Sequence, residues 1–442
     1  MRALKDANFI KWFYFGMHIK RWLLLLLLGV AAMGLGFSYL LREVYVSYTF
    51  PGFVYYLTLQ FLPRIARGAL FISGSVGVIL FTIWKLNSSL ISAFLRPGRD
   101  ESLVNIIYNY RYLNRGPRIV AIGGGTGLST LLRGLKEHTG NLTAVVTVAD
   151  DGGSSGRLRR ELGMLPPGDV RNCIAALADA EPLMTRLFQY RFSEGSGSEL
   201  EGHSFGNLFI AAMSDVTGNF EEAVRETSRV LAVRGQILPS TLAHVTLVAR
   251  TEDEETIHGE SRITESGRRI RQVYLNPTNP QANPDVIRAI LNADMIAVGP
   301  GSLFTSVLPN LLVEGIRQAM AVSPALKVYV CNVATQHGET DAFAVSDHFR
   351  ALEDHIGRNL FQYVLANSNV QEPLPEAWHS EPVRLDSPVL DGACVIDTDV
   401  VSEDNRYHHD PKKLADALMR IYFERPEAEA PLAEPAREAA VL

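Results

Sequence analysis

Twenty consecutive residues without a charge, Trp22 to Leu41 (WLLLLLLGVAAMGLGFSYLL), constrain this chain more than any other feature of it. A helix of that length and composition is long enough to cross a bilayer core. A second uncharged run, Gly68 to Trp84, has 17 residues and lies at the short end of the spanning range. Between them, Val44 to Pro63 carries seven Tyr/Phe residues and is broken by Pro51-Gly52, which suits an interfacial segment. Residues 1–21 hold five Lys/Arg and one Asp, residues 85–118 six Lys/Arg and two acids, and residues 42–67 three Arg and one Glu. The positive-inside rule places both strongly basic flanks in the cytoplasm, which requires an even number of spans. The expectation is a two-helix transmembrane hairpin in the inner (cytoplasmic) membrane, with both termini cytoplasmic. A cleaved signal peptide is the lesser reading, because the first run is too long and a second follows.

Behind this end the chain changes character. It has 442 residues, 47% apolar and 20% charged, which excludes a disordered chain. Its net charge of −6 excludes bulk attraction to nucleic acid. Cys173, Cys331 and Cys394 lie far apart with no CxxC, so a disulfide framework or zinc ribbon is not expected. Residues 1–86 read as the membrane anchor and 87–117 as a polar linker. From Arg118 short apolar strands alternate with helical stretches: RIVAI, LTAVVTV, ADMIAV and KVYVCN are the strands, and Leu303–Met320 and Ala342–Asp354 are helical. That alternation predicts an α/β domain over 118–423 with a parallel sheet and helices on both faces. Residues 240–276 carry short β runs that suit a hairpin or sheet extension. The Ala/Glu/Pro-rich residues 424–442 read as a disordered tail.

The chemistry is expected in the loops after strands. The first strand runs into Gly123, Gly124, Gly125, Thr126, Gly127, Leu128 and Ser129, then a helix. Glycines let the main chain approach an anion, and the helix start supplies free N–H groups and a positive dipole end. The loop departs from the dinucleotide fingerprint at Leu128 and lacks the Lys of a Walker A loop; a tight turn without ligand is the plain alternative. The second strand ends in Asp150-Asp151-Gly-Gly-Ser154-Ser155. A carboxylate there binds a ribose hydroxyl, or the pair holds Mg²⁺ on a diphosphate; a helix cap plus a solvated Asp is the alternative. Asp169 reads as an N-cap or a ligand contact, and Arg171 near a helix start suits an acidic partner. His203 reads as a general base, a phosphate donor or a capping residue. Gly301, Ser302 and Thr305 follow another strand, and Asn332, Thr335 and Gln336 end the next in a polar loop. Two such loops facing each other define a ligand crevice. No GxSxG, HExxH or Cys–His nucleophile pair occurs.

The stretches VAIGGGTGLSTLLRGLK, TAVVTVADDGGSSGRLRREL, LPPGDVRNCIAAL, GHSFGNL, GPGSLFTSVLPNLL and NVATQHGETD resemble, in order, the YvcK-type gluconeogenesis factors of the CofD-like superfamily. The resemblance implies a Rossmann-like fold, a UDP-N-acetylglucosamine-like nucleotide sugar as ligand, and a role in cell shape and wall growth on gluconeogenic carbon. Carried over by motif, Gly123–Ser129, Asp150, Asp151, Ser154, Ser155, Asp169, Asn172, His203, Asn207, Gly301, Ser302, Thr305, Asn332, Thr335 and Gln336 would line the crevice. The family usually carries Tyr ahead of its Glu-Pro-Val segment and Arg before a His-Asp/Asn pair. Here Trp378 and His408 stand in those neighbourhoods. Trp378 still stacks on a base or sugar, whereas His408 holds a diphosphate less firmly than Arg. The superfamily's namesake is a 2-phospho-L-lactate transferase acting on a deazaflavin precursor. The two readings are therefore a membrane-tethered nucleotide-sugar-binding regulator without turnover, and a transferase of that kind. An NAD-dependent oxidoreductase is disfavoured by the broken fingerprint. Expected partners are a nucleotide sugar and the lipid bilayer, with cell-wall synthesis proteins and a second copy of the chain as further candidates and no nucleic acid. Mg²⁺ is the one cofactor considered.

Overall fold

The computed structural model describes residues 19–94 and 113–424, except 180–181, 194, 196–198, 372–373, 388 and 391. The expected tail lies outside the described residues from 425 onward, as does the expected linker over 95–112. The chain divides into two compact units, Met1–Tyr112 and Leu113–Leu442.

In the first unit, helices α1 (Ile19–Ser47), α2 (Gly52–Leu57) and α3 (Arg64–Phe94) follow one another. Asn87, where a linker was expected to begin, falls inside α3. Among the described residues one stretch, Arg64–Ile83, is long and apolar enough to cross a membrane. The two-helix transmembrane hairpin is therefore not supported as such. Trp22–Leu41 is helical, but the part of α1 with described side chains carries Arg42, Glu43 and several Gly and Ser among its apolar residues. Met33, Phe37, Leu40, Ile72, Val78 and Phe81 are all more than half exposed. Apolar surface left bare on that scale calls for a cover other than water.

The second unit is built on an eight-stranded sheet of order β10-β11-β9-β8-β7-β1-β2-β3, parallel except for the short β10 against β11. Its strands are β1 (Ile119–Gly123), β2 (Leu142–Val146), β3 (Gln236–Pro239), β7 (Met295–Val298), β8 (Leu326–Val330), β9 (Tyr363–Asn367), β10 (Val389–Leu390) and β11 (Ala393–Thr398). β1, β7 and β8 are buried at every position, as a sheet covered by helices requires. The flanking helices are α4 (Gly125–Leu135), α5 (Gly153–Leu162), α6 (Gly168–Leu177), α7 (Pro182–Gln189), α8 (Phe205–Thr217) and α9 (Phe220–Val230) before the sheet reverses. The 240–276 region is a separate antiparallel sheet, β5-β4-β6, and no extension of the main one. It comprises β4 (Thr246–Thr251), β5 (Thr256–His258) and β6 (Ile270–Asn276), with α10 (Glu260–Ser266) inserted between β5 and β6. Then come α11 (Pro284–Leu291), α12 (Leu308–Leu311), α13 (Glu314–Val322), α14 (Val345–Ile356) and α15 (Pro411–Glu424).

The helix expected over Leu303–Met320 is broken. A π-turn spans Leu303–Val307, Pro309 sits in the first turn of α12, and Val313 is extended before α13. Pro309 has no N–H to continue the helical ladder. Strand order reverses between β1 and β7: β2 and β3 lie to one side, β8, β9 and β11 to the other. The loops after β1 and β7 part at that boundary, which opens a crevice at the carboxyl ends of the strands.

Gly134 of α4 meets the carbonyl of Pro411 at the start of α15, and a Cβ there would overlap that oxygen and lie 2.7 Å from Cβ of Ala415. Gly134→Ala is expected to cost about 1–3 kcal/mol by overpacking. Chemical denaturation of the wild type and the variant measures it, and equal midpoints would refute this packing.

Candidate functional site

The crevice between β1 and β7 is lined by the main chain of Gly124 to Gly127, by Thr130, Pro300, Gly301, Ser302 and Ser306, and by Tyr407 and His408. It is open to solvent, and its cavity volume of about 130 Å³ is smaller than that of most small-molecule sites. Gly125 adopts φ +62°, which L side chains rarely take. A Cβ on Gly127 would run into the Pro300 carbonyl, so the two loops touch through backbone alone. Thr126 and Gly127 stand in the first turn of α4, where N–H groups have no intrahelical acceptor. Both residues line the crevice. Gly123 lies below, its carbonyl accepting from Asn310 Nδ2 at 3.0 Å; Leu128 and Ser129 are buried on α4.

The opposite wall is tied together internally. Asn332 Nδ2 donates to the Gly301 carbonyl at 2.9 Å, and its Oδ1 accepts from the Gly301 amide at 3.1 Å. The Gly301 N–H is therefore used and does not reach a ligand. Gln336 Nε2 donates to Ser302 Oγ at 2.7 Å, leaving Gln336 Oε1 buried without a partner. Thr335 pairs with Glu381 through backbone and hydroxyl, and Thr305 Oγ1 donates to Glu339 at 3.1 Å. Neither Thr335 nor Thr305 lines the crevice. His408 does line it, and burial lowers its pKa, so it is uncharged at neutral pH. Trp378 is 42% exposed and packs edge-on against Tyr407 with ring centroids 6.0 Å apart.

Carboxylates gather beside the amide loop. Asp150 accepts from the Gly152 amide at 2.9 Å and from the Ser155 hydroxyl. Asp169 accepts from the Gly125 amide. It lies in the first turn of α6, whose N-cap is Pro167, so its expected capping role falls away. Asp151 Oδ1 accepts from both the amide and the hydroxyl of Ser261, at 3.0 and 2.9 Å. That fastens α10 to the main sheet through one oxygen of Asp151, leaving Oδ2 out of that contact. Among the described residues no group of three His, Cys, Asp or Glu is placed to hold a metal. Asp150 with Asp169 is the pair that faces one another electrostatically. Two carboxylates suit a hard cation that keeps water and ligand oxygens.

Two acids of this cluster carry no motif signal of their own. Glu260 is pushed up to about 8, by burial first and then by Asp150, Asp169, Glu339 and Asp151. Glu339, inside NVATQHGETD, is pushed to about 7 by burial against hydrogen bonds from Thr305, Phe304 and Thr264. Asp169 is raised to about 6 by burial and by Asp150. His203 and Ser154 form a third group: His203 Nδ1 lies 2.9 Å from Ser154 Oγ, and Asn207 Nδ2 donates to the same oxygen at 3.0 Å. Arg171 Nη2 donates to Asn172 Oδ1 at 2.8 Å.

The profile of the 2-phospho-L-lactate transferase CofD matches residues 119–402. The chain belongs to the CofD family. It is 47% identical over 319 residues to the gluconeogenesis factor of Bacillus subtilis, covering 71% of this chain and 100% of that protein. A relative in Nostoc under the gluconeogenesis-factor name is 48% identical over 427 residues, covering 94% of this chain and 93% of its own length. A crystal structure of a UPF0052 family member from Bacillus halodurans aligns with a TM-score of 0.65 at 44% identity, covering 69% of this chain and 99% of that one. The first unit is thus matched in Nostoc, whereas the Bacillus proteins align with about the share of the chain that the second unit occupies.

In the folded state Glu260, Glu339 and Asp169 hold protons that the unfolded chain releases near pH 4. The folded state then binds more protons than the unfolded one across pH 5–8, so stability falls as pH rises through that window. Glu260→Gln is expected to flatten the fall. Melting temperatures in a pH 5–9 series measure it, and an unchanged slope in the variant would contradict this assignment.

Proposed function

We propose that the chain binds a nucleotide sugar of the UDP-N-acetylglucosamine type and acts as a membrane-attached regulator of cell-wall growth, without chemical turnover. The observation that carries this reading is the open crevice bounded by unpaired amides on one side and aromatic residues on the other. The diphosphate would rest on the Thr126 and Gly127 amides at the α4 N-terminus, where the helix dipole favours negative charge. The hydroxyls of Thr130, Ser302 and Ser306 would meet the sugar, and Tyr407 with Trp378 the base. Mg²⁺, where used, would lie between Asp150 and Asp169 and neutralise diphosphate charge. The gluconeogenesis-factor names of the relatives support a role in growth on gluconeogenic carbon. Cell-wall synthesis proteins and a second copy of the chain are the partner classes that role suggests.

A second reading has its own support. The CofD match covers the carboxylates and the crevice lining except Tyr407, His408 and His409. Asp150 and Asp169 would then position a cation for phosphodiester formation, with catalysis by positioning and charge neutralisation. The exposed apolar surface supports attachment to the inner membrane through Arg64–Ile83.

Calorimetry of residues 113–442 with UDP-N-acetylglucosamine is expected to give saturable heat; a Bacillus relative consists of an equivalent unit alone. Gly127→Ala, checked by melting for folding, should weaken binding at least tenfold, about 1.4 kcal/mol. No heat at millimolar ligand would sink the nucleotide-sugar reading. Product from a deazaflavin precursor and nucleotide-activated phospholactate would replace it with the transferase. For the membrane topology, Cys394 is the exposed thiol beside buried Cys173 and Cys331. A membrane-impermeant maleimide should label it in inverted vesicles and not in intact spheroplasts. Labelling in both would overturn the cytoplasmic placement.

A further inference from the structure

Arg171 is only 9% exposed, and none of the ion pairs among the described residues involves it. Its Nη2 donates to Asn172, while its Nε is buried without any partner. Desolvation and the neighbouring Arg191 both work against its charge. Asp169 and Asp150 favour its charge through space, but neither pairs with it directly, and a buried guanidinium without a direct partner is costly. Gly206 makes room for it: a Cβ there would lie 2.9 Å from both Cγ and Cδ of Arg171.

Two further guanidinium groups converge on the same place without carboxylate partners of their own. Arg191 Nη1 donates to the Gly202 carbonyl at 2.6 Å, and Arg157 Nη2 to the Glu201 carbonyl at 2.5 Å. Both carbonyls belong to the segment that leads into α8 and presents His203 to Ser154. The acids that face this cluster are few. Asp150 and Asp169 act on Arg171 but are engaged by Gly152, Ser155 and Gly125; Glu161 acts on His203 from the surface. Arg191 acts on Arg171, and Arg157 and Arg191 both act on His203, so three guanidinium groups around two helix starts make a positive cluster.

We infer that Arg157, Arg171 and Arg191 bind an oxyanion, the phosphate or carboxylate of a second small molecule, at a site separate from the amide loop. This goes beyond the nucleotide-sugar reading and stands without it. Arg171 gives the oxyanion the part of its guanidinium that Asn172 does not engage, and Arg191 and Arg157 swing from their carbonyls onto it. The acidic group so held lies beside Asp150 and Asp169, where a co-ligand or acceptor meets the crevice.

The test is a titration of inorganic phosphate, and in parallel acetate at matched ionic strength, into the full chain in detergent, with and without UDP-N-acetylglucosamine. Saturable phosphate binding that persists with the nucleotide sugar present is expected. It should weaken at least tenfold in Arg171→Gln and in Arg191→Gln. Arg191 is exposed, so its variant keeps the test valid if Arg171→Gln does not fold. Acetate binding alongside phosphate marks a general oxyanion site, and phosphate alone a phosphate site; both support the inference. Absence of saturable binding in the wild type, or affinities within twofold of wild type in the folded variants, overturns it. The nucleotide-sugar heat on the same variants is read separately, so loss of that binding in the wild type leaves the phosphate result interpretable.

Discussion

The contact between the backbone of Gly127 and the carbonyl of Pro300 governs the rest of this fold. It closes the base of the crevice where β1 and β7 part, and it does so with no side chain in between. Any Cβ on Gly127 would wedge the loops apart and tilt α4 away from its register on β1. Because the loops meet through main chain, the first-turn amides of α4 remain uncovered. Uncovered amides at a helix start favour negative charge, which is what the proposed reading uses. The same contact brings Ser302 and Gln336 across from Thr130, so the hydroxyl wall follows from the amide wall.

Charge is arranged around that contact in a way that does not favour the empty protein. Asp150, Asp169, Glu260 and Glu339 are drawn toward their neutral forms by burial and by one another. A short distance along α6, Arg171 is buried with its Nε unpaired. The two populations attract one another through space but form no direct ion pair, since Asp169 turns to the Gly125 amide and Arg171 to Asn172. Groups held off their ordinary protonation by neighbours mark functional sites more often than stable cores. Asp151 is the contrast: next in sequence to Asp150, its Oδ1 accepts twice from Ser261 and joins the small antiparallel sheet to the large one.

The parallel sheet, the amide loop and the facing loop after β7 were legible in the sequence, because strand-length apolar runs ending in glycines leave few alternatives. Local chemistry misled where a partner came from far along the chain. Thr305 and Thr335 have ligand-like hydroxyls in ligand-like loops, yet Glu339 and Glu381 claim them. The Gly301 amide is taken by Asn332, 31 residues away. Glu260 escaped notice because nothing in TIHGESRI signals proximity to Asp150; that proximity comes from β4–β5 docking α10 on Asp151. Asp169 looked like a cap because Asp commonly is one, whereas Pro167 already ends the preceding loop. Of the two apolar N-terminal runs, only the stretch Arg64–Ile83 among the described residues is long and apolar enough to cross a membrane, because Arg42, Glu43 and several Gly and Ser dilute α1.

Relatives in Bacillus match the share of the chain taken up by the α/β unit, and the Nostoc relative matches the apolar helices as well. The crevice residues all lie within the shared part, so the binding chemistry owes nothing to the first unit. Under the proposed reading the helices act on location alone. Confining a receptor to a surface raises its effective concentration toward other membrane proteins without altering its intrinsic affinity for a soluble ligand. The two units then answer different questions: the α/β unit reports how much ligand is present, and the helices decide which proteins are near enough to receive the report.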